Sequence, residues 1–335
     1  MTTAATAMDP RIRARVADFL ADLDRDPVAA DVLGVVVSGS AARGEEVWRG
    51  GELLSDIDLM VLTRRTSPRL ITAIDAVIGR HRQAGIDGGQ TPLRPLARYL
   101  TFAFYEARST GQVVRGDVDL AKLIPPTEPT ALPVWEGFRV LANRLVEHVK
   151  HARGLIPADR VVAKSYEALA EAYLVAEGRY RPSYAGRLTE LEHRPPHAPP
   201  EVVAGMLAVL RNRLSGAAPG RAPDGTTPDV AAARRHLIDG LGLVGAVITG
   251  RSGPAAAQLR ALARTNPHWQ HRLYWAALLA RQGRLTELRF APDPILRVWA
   301  RALALVTGPA TDADLDRLLA DWRSCPQLLV RRSTP

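Results

Sequence analysis

The sequence predicts an α+β chain, with a small sheet and its flanking helices in residues 1–125 and an all-α region after it. Three observations carry this. Two apolar runs, Val35-Val36-Val37 and Ile57 to Leu62, have strand character. From Trp135 onward, apolar residues recur at helical spacing. Between them Pro125, Pro126, Pro129 and Pro133 mark a linker. Gly/Pro-rich breaks at 193–200 and 216–228 then divide the helical part, giving expected units at 1–125, 134–215 and 228–325.

Taken in order, Asp9-Pro10 reads as a helix start, with aspartate as N-cap and proline in the first turn. Ile12, Val16, Phe19, Leu20 and Leu23 make that helix amphipathic to about Asp24. A first strand is expected at about 33–38, a short helix after Ser40, a turn at 49–54 and a second strand at 56–62. Pro68 opens a helix to about Ala84, with Leu70, Ile71, Ile74, Val77 and Ile78 inward. Residues 85–89 read as a loop, and TPLRPLARYLT at 91–101 as a third strand. Phe102 to Arg108 is a short helix ended at Gly111, followed by a brief strand at 112–115. Helices are expected at 135–153, 158–178, 201–215 and 228–249, with shorter ones between about 254 and 323.

The 335 residues carry a formal charge of +9, with 44 basic and 35 acidic side chains. That balance suits anionic partners, nucleotide or nucleic acid. Yet arginine is interspersed with acids throughout, no lysine-rich run or aromatic-basic stripe occurs, and nucleic acid is the less favoured partner. The single Cys325 excludes an internal disulfide framework and any cysteine-based zinc site. No stretch has the length of a membrane span or the core of a signal peptide, so the expectation is a cytoplasmic protein without a membrane partner.

The chemistry concentrates between Val35 and Val61. Strand periodicity puts Asp56 and Asp58 on one face while Ile57 and Leu59 pack on the other. Adjacent carboxylates on an apolar strand repel unless a cation sits between them, and oxygen-only ligands favour magnesium or manganese. The Gly39-Ser40 turn lets backbone approach a ligand and aims N–H groups at an anion. Phosphates on one wall and metal-holding carboxylates on the other describe a nucleoside-triphosphate site. Gly39-Ser40, an interval, then Asp56-Ile57-Asp58-Leu59 resembles the signature of the DNA-polymerase-β-like nucleotidyltransferase superfamily. Its nearest likeness is to bacterial aminoglycoside and minimal nucleotidyltransferases. The interval 41–55 is longer than usual there, and EARSTGQVVRGD resembles a segment near the end of many small members.

The resemblance implies a mixed-sheet polymerase-β-like domain in which Asp56 and Asp58 bind magnesium. It also implies that Gly39, Ser40 and Arg43 grip the triphosphate, ATP by preference. A nucleoside monophosphate would pass to a hydroxyl of a small acceptor such as an aminoglycoside, sugar or natural-product intermediate, releasing pyrophosphate. Relatives use a third carboxylate on a later strand, and TPLRPLARYLT contains none; Glu106, Asp117 and Asp119 lie beyond it. In some relatives a glutamate of the helical domain is the base instead. Lys164, Glu167 and Glu171 share one helix face, so Lys164 is a candidate phosphate ligand and the two glutamates candidate bases. Glu106, Tyr184 and Arg187 are candidate acceptor contacts, near Tyr180 in a helix-to-helix connection. His148 with His151, and His268 with His271, have metal-like spacing but no completing ligand, which leaves them solvent-exposed; Trp269, Trp275 and Trp299 read as core anchors. Two alternatives stay open: transfer to tRNA or a partner toxin, and a non-catalytic nucleotide-binding domain.

Overall fold

The computed structural model describes residues 8–65, 67–217, 229–265 and 294–325, with scattered positions between 273 and 284. Helix α1 (Pro10–Arg25) begins at Asp9, whose side chain accepts the Arg11 amide at 2.7 Å. It buries Ile12, Val16, Phe19 and Leu23. Strand β1 (Val32–Ser38) leads directly into the one-turn α2 (Gly39–Arg43), so the helix starts at Gly39. The turn at 49–54 is a small hairpin, β2 (Trp48–Arg49) and β3 (Glu52–Leu53). Strand β4 (Ile57–Thr63) follows, then α3 (Pro68–Arg80), with Leu70, Ile74, Val77 and Ile78 buried and Ile71 exposed instead.

The third strand is not where its composition placed it. Strand β5 is Ile86–Pro92, and Leu93–Arg98 is helix α4. The segment Asp87-Gly88-Gly89 has the look of a loop, but pairing against β4 overrides that. At Gly88 φ is +139°, and a Cβ there would stand 2.0 Å from the Leu59 carbonyl oxygen. Only glycine allows so close an approach. Helix α5 (Phe102–Thr110), strand β6 (Gln112–Arg115) and the short α6 (Leu120–Leu123), capped by Asp119, complete this part.

The four-stranded sheet has the order β5-β4-β1-β6. β1 is antiparallel to both neighbours and β5 parallel to β4, so the sheet is mixed. Alternation assigns the faces. Val35, Val37, Ile57, Leu59 and Val61 pack on α1 and α3, whereas Val36, Met60 and Leu62 pack on α4, α5 and α6. Asp58, two residues before Met60, belongs to the second face.

The rest is helical: α7 (Val134–Ala152), α8 (Ala158–Ala176), α9 (Tyr184–His193), α10 (Pro200–Leu214), α11 (Val230–Thr249), α12 (Ala255–Thr265), then Pro294–Thr307 and Asp312–Ser324. The connection containing Tyr184 and Arg187 is thus itself a helix, started by Ser183, whose hydroxyl accepts the Gly186 amide. α7 packs along α8, and Gly137 permits it: a Cβ there would lie 2.9 Å from Ala172 Cα. One continuous apolar core runs from Leu100, Phe102 and Tyr105 through α7 and α8 to Cys325, with Trp299 fully buried in it. Among the described residues no helix is long and apolar enough to cross a membrane. Trp269, Trp275, His268 and His271 fall outside the described residues.

Candidate functional site

The sheet's carboxylate face and the helical region enclose a cleft of about 500 Å³. Its sheet wall is set by strand register. Ser38 at the end of β1 pairs with Asp58, and Asp58 pairs in parallel with Asp87 of β5. Asp56, Asp58 and Asp87 therefore open into one cavity, beside Gly39, Ser40 and Arg43. Asp87 is the carboxylate that sequence reading missed, because the strand holding it was placed one segment too late. Its one hydrogen bond among the described residues comes from the Gly88 amide, at 2.9 Å.

Gly39 and Asp58 fit together. Gly39 has φ +67°, and a Cβ there would come within 2.4 Å of Asp58 Oδ2. Among the described residues no hydrogen bond reaches the Asp58 carboxylate, which cleft water can enter although protein crowds it. Burial, then the charge of Asp56, pushes its pKa up to about 7, against a smaller opposing effect of Lys164. Asp56 accepts two contacts from one Arg160 nitrogen of α8, at 3.1 and 3.3 Å. This pair is half-exposed, 42% and 41%.

The helical wall is basic. Arg139, Arg144, Arg160, Lys164, Arg187 and Arg213 reach the cleft from α7, α8, α9 and α10. Their acidic partners are part of the scaffold. Arg139 forks onto Glu136 at 2.8 and 3.0 Å, and the fully buried Glu136 also accepts the Phe102 amide at 2.9 Å. Glu45, after α2, caps α9 by accepting the Tyr184 and Ala185 amides at 3.1 and 3.2 Å. Those two carboxylates tie the sheet region to the helices and set the width of the cleft.

The expected site residues divide into two groups. Gly39, Ser40, Arg43, Asp56, Asp58, Glu106, Lys164, Glu171, Tyr184 and Arg187 all line the cleft. Glu167 does not. It lines a small neighbouring pocket with Lys164 and Arg213, and accepts from them at 3.2 and 2.9 Å. Burial alone would raise Glu167, but Arg213, Lys164 and Arg144 outweigh it and hold the carboxyl down at about 2. A carboxylate so held is a poor proton acceptor, which argues against Glu167 as the base.

Several of the others are committed to structure. Arg43 is buried, bonded to Glu45 at 2.7 Å and Glu106 at 3.0 Å, so it braces the cleft and is not a loose phosphate ligand. Glu106 also accepts the Tyr180 hydroxyl and lies 3.7 Å from Arg187. Arg187, 1% exposed, pairs with Glu171 and donates to the Pro182 carbonyl at 2.9 Å. Tyr184 is ringed by the guanidiniums of Arg213, Arg187 and Arg43, at 4.0, 4.4 and 5.5 Å from its centroid. The histidine pair separates: buried His148 meets Ser165 Oγ at 3.0 Å, and His151 meets the Ile156 carbonyl at 2.9 Å. Burial lowers His148 to about 4, which corrects the expectation that it is solvent-exposed.

The donor set suits a hard divalent cation. Magnesium is commonly held by one or two carboxylates, with phosphate and water oxygens completing its shell. Asp56 and Asp58 offer such a pair, and the unbonded, crowded Asp58 is what a cation would relieve. Among the described residues no three acidic, histidine or cysteine side chains are already gathered around a point. The chain matches no protein-family model and no curated protein.

Proposed function

We propose that the protein is a divalent-cation-dependent nucleotidyltransferase. It would move a nucleoside monophosphate, from ATP in the first instance, onto a hydroxyl of a small acceptor. The reading rests above all on one observation: β-sheet register sets Asp58 beside Asp87, and with Asp56, just before β4, they open into a single cleft at the Gly39-Ser40 turn, opposite a basic helical wall. The resemblance of the same Gly39-Ser40 and Asp56-Ile57-Asp58 residues to polymerase-β-like nucleotidyltransferases agrees with it.

Asp56 and Asp58 would hold magnesium or manganese, which when bound neutralises triphosphate charge and lowers the pKa of a nearby hydroxyl. Arg160 and Lys164, the cations nearest this pair, bind and orient the triphosphate. The acceptor oxygen bonds to the α-phosphorus as the α–β phosphoanhydride bond breaks, and pyrophosphate leaves. The hydroxyl proton passes to a cleft carboxylate. Asp87 has acceptor lone pairs to take it, whereas Glu171 and Glu106 are engaged by arginines. Tyr180 and Tyr184 stay protonated, since burial raises both.

The test is pyrophosphate release from each triphosphate with magnesium across a panel of hydroxylated acceptors. Release that falls by about a hundredfold or more in Asp58→Asn supports the reading. Release that is insensitive to chelator and to this substitution contradicts it.

A further inference from the structure

Given nucleotidyl transfer as the chemistry of this cleft, the structure also bears on how the triphosphate is held. Among the described residues, three polar side chains lining the cleft make no hydrogen bond: those of Ser40, Asp58 and Tyr184. Asp58 is exposed. Ser40 and Tyr184 are only 6% and 7% exposed, yet neither hydroxyl is sealed off by protein. Polar side chains so far buried are as a rule bonded within the fold, so both hydroxyls are left for a ligand. Asp58 is the proposed cation ligand, and Ser40 belongs to the turn that the resemblance gives to the triphosphate. For Tyr184 the resemblance implies only an acceptor contact.

Tyr184 is held firmly. Its ring lies among the guanidiniums of Arg213, Arg187 and Arg43, and Glu45 accepts its backbone amide at 3.1 Å. Each of those arginines is paired with a carboxylate, so they fix the ring and are not themselves free to take a phosphate. Burial, then the charge of Glu167, raises the phenol's pKa against the opposing effects of Arg213, Lys164 and Arg187. The hydroxyl therefore keeps its proton and is a donor.

Contacts on two sides place that donor. Gly39, at the start of α2, abuts Asp58, whereas Arg43, at its end, has its guanidinium 5.5 Å from the Tyr184 ring centroid. Four residues of helix rise about 6 Å, so Tyr184 stands about one turn beyond the carboxylates where the α-phosphate reacts. On the other side Arg213 lies 4.0 Å from the same centroid and bonds Glu167 at 2.9 Å, and Glu167 holds Lys164 at 3.2 Å. Tyr184 thus lies between α2 and Lys164, both assigned to the triphosphate. A hydroxyl donating to a phosphate oxygen makes a charge-assisted bond, stronger than one between neutral groups.

We propose that Tyr184 is a triphosphate-binding residue, whose hydroxyl donates to an oxygen of the terminal phosphate alongside Ser40 and Lys164. This role replaces the acceptor contact expected of it.

The experiment is calorimetric titration of the full chain with magnesium, using α,β-methylene-ATP and α,β-methylene-ADP as probes, for the wild type and Tyr184→Phe. The substitution keeps the ring and its guanidinium contacts and removes only a hydroxyl that has no partner in the fold, so the melting temperature should hold. Affinity for the ATP analogue should fall about tenfold, and that for the ADP analogue by less than about twofold. Unchanged affinity for the ATP analogue overturns the proposal. Equal losses for both analogues overturn it too, because the hydroxyl then meets another part of the nucleotide. Failure of both analogues to bind the wild type sinks nucleotidyl transfer instead. Inorganic tripolyphosphate, titrated into the same two proteins, then decides Tyr184 by itself. Binding weakened in Tyr184→Phe supports a hydroxyl–phosphate contact, and binding that is equal in both or absent overturns it.

Discussion

Asp58 is open to the cleft although protein lies close around it, and Glu167 is buried, and their surroundings drive the two carboxylates in opposite directions. Burial raises each. For Asp58 the next influence is a second carboxylate, Asp56, and the pKa climbs to about 7. For Glu167 the next influences are Arg213, Lys164 and Arg144, and it falls to about 2. The helical side of the cleft has its charges compensated within the fold. On the sheet side Asp58 has no partner among the described residues and Asp56 only the half-exposed Arg160, an arrangement that would suit the cation proposed here.

The largest effect that would sharpen this contrast is on stability. Glu167→Gln strands Lys164 and Arg213, and should cost roughly 3–5 kcal/mol in urea unfolding. Asp58→Asn should be neutral or stabilising at pH 8 with chelator present. Equal losses from the two substitutions would erase the distinction between the walls. Gly39→Ala comes next. It forces a left-handed φ on alanine, at roughly 1–2 kcal/mol, and drives a methyl against Asp58 Oδ2, so manganese binding followed by electron paramagnetic resonance should be lost.

A pH series gives a smaller, signed effect. The folded pKa of Asp58 lies above its ordinary value of 3.8, so the stability its protonated form contributes is complete below about pH 4 and lost as pH rises through about 7. Without divalent ions the melting temperature should fall over that window in the wild type and fall less in Asp58→Asn. Manganese affinity should rise over the same window, because the competing proton leaves. The smallest expected change is Arg160→Ala. Its pair with Asp56 is half-exposed, so stability should shift by less than about 1 kcal/mol. Manganese binding without nucleotide should tighten as Asp56 is released, and triphosphate binding should weaken.

Much of the sheet wall was legible in the sequence, because period-two alternation alone orients Asp56 and Asp58 and the β-branched runs locate their strands. Asp87 was not. Gly88 and Gly89 depress strand propensity, and only the close approach to the Leu59 carbonyl, a tertiary fact, explains why glycine stands in a strand. The helical wall was legible as a face of α8 but not as chemistry. Lys164 and Glu167 pair at i,i+3, with Glu167 buried and Lys164 partly exposed to the cleft, and Arg213 joins them from another helix. Arg160 was hidden among evenly scattered arginines, its partner Asp56 far away in sequence. The bracing roles of Glu45, Glu106 and Glu136 depend wholly on how the helices dock, which no local pattern encodes.

The most direct test is a titration of each nucleoside triphosphate, with and without magnesium, into the wild type and the Asp56→Asn/Asp58→Asn double variant. Magnesium-dependent binding in the wild type, lost in the double variant while its fold is retained, is the predicted result. Binding of no triphosphate, or binding that survives removal of both carboxylates, would contradict the account.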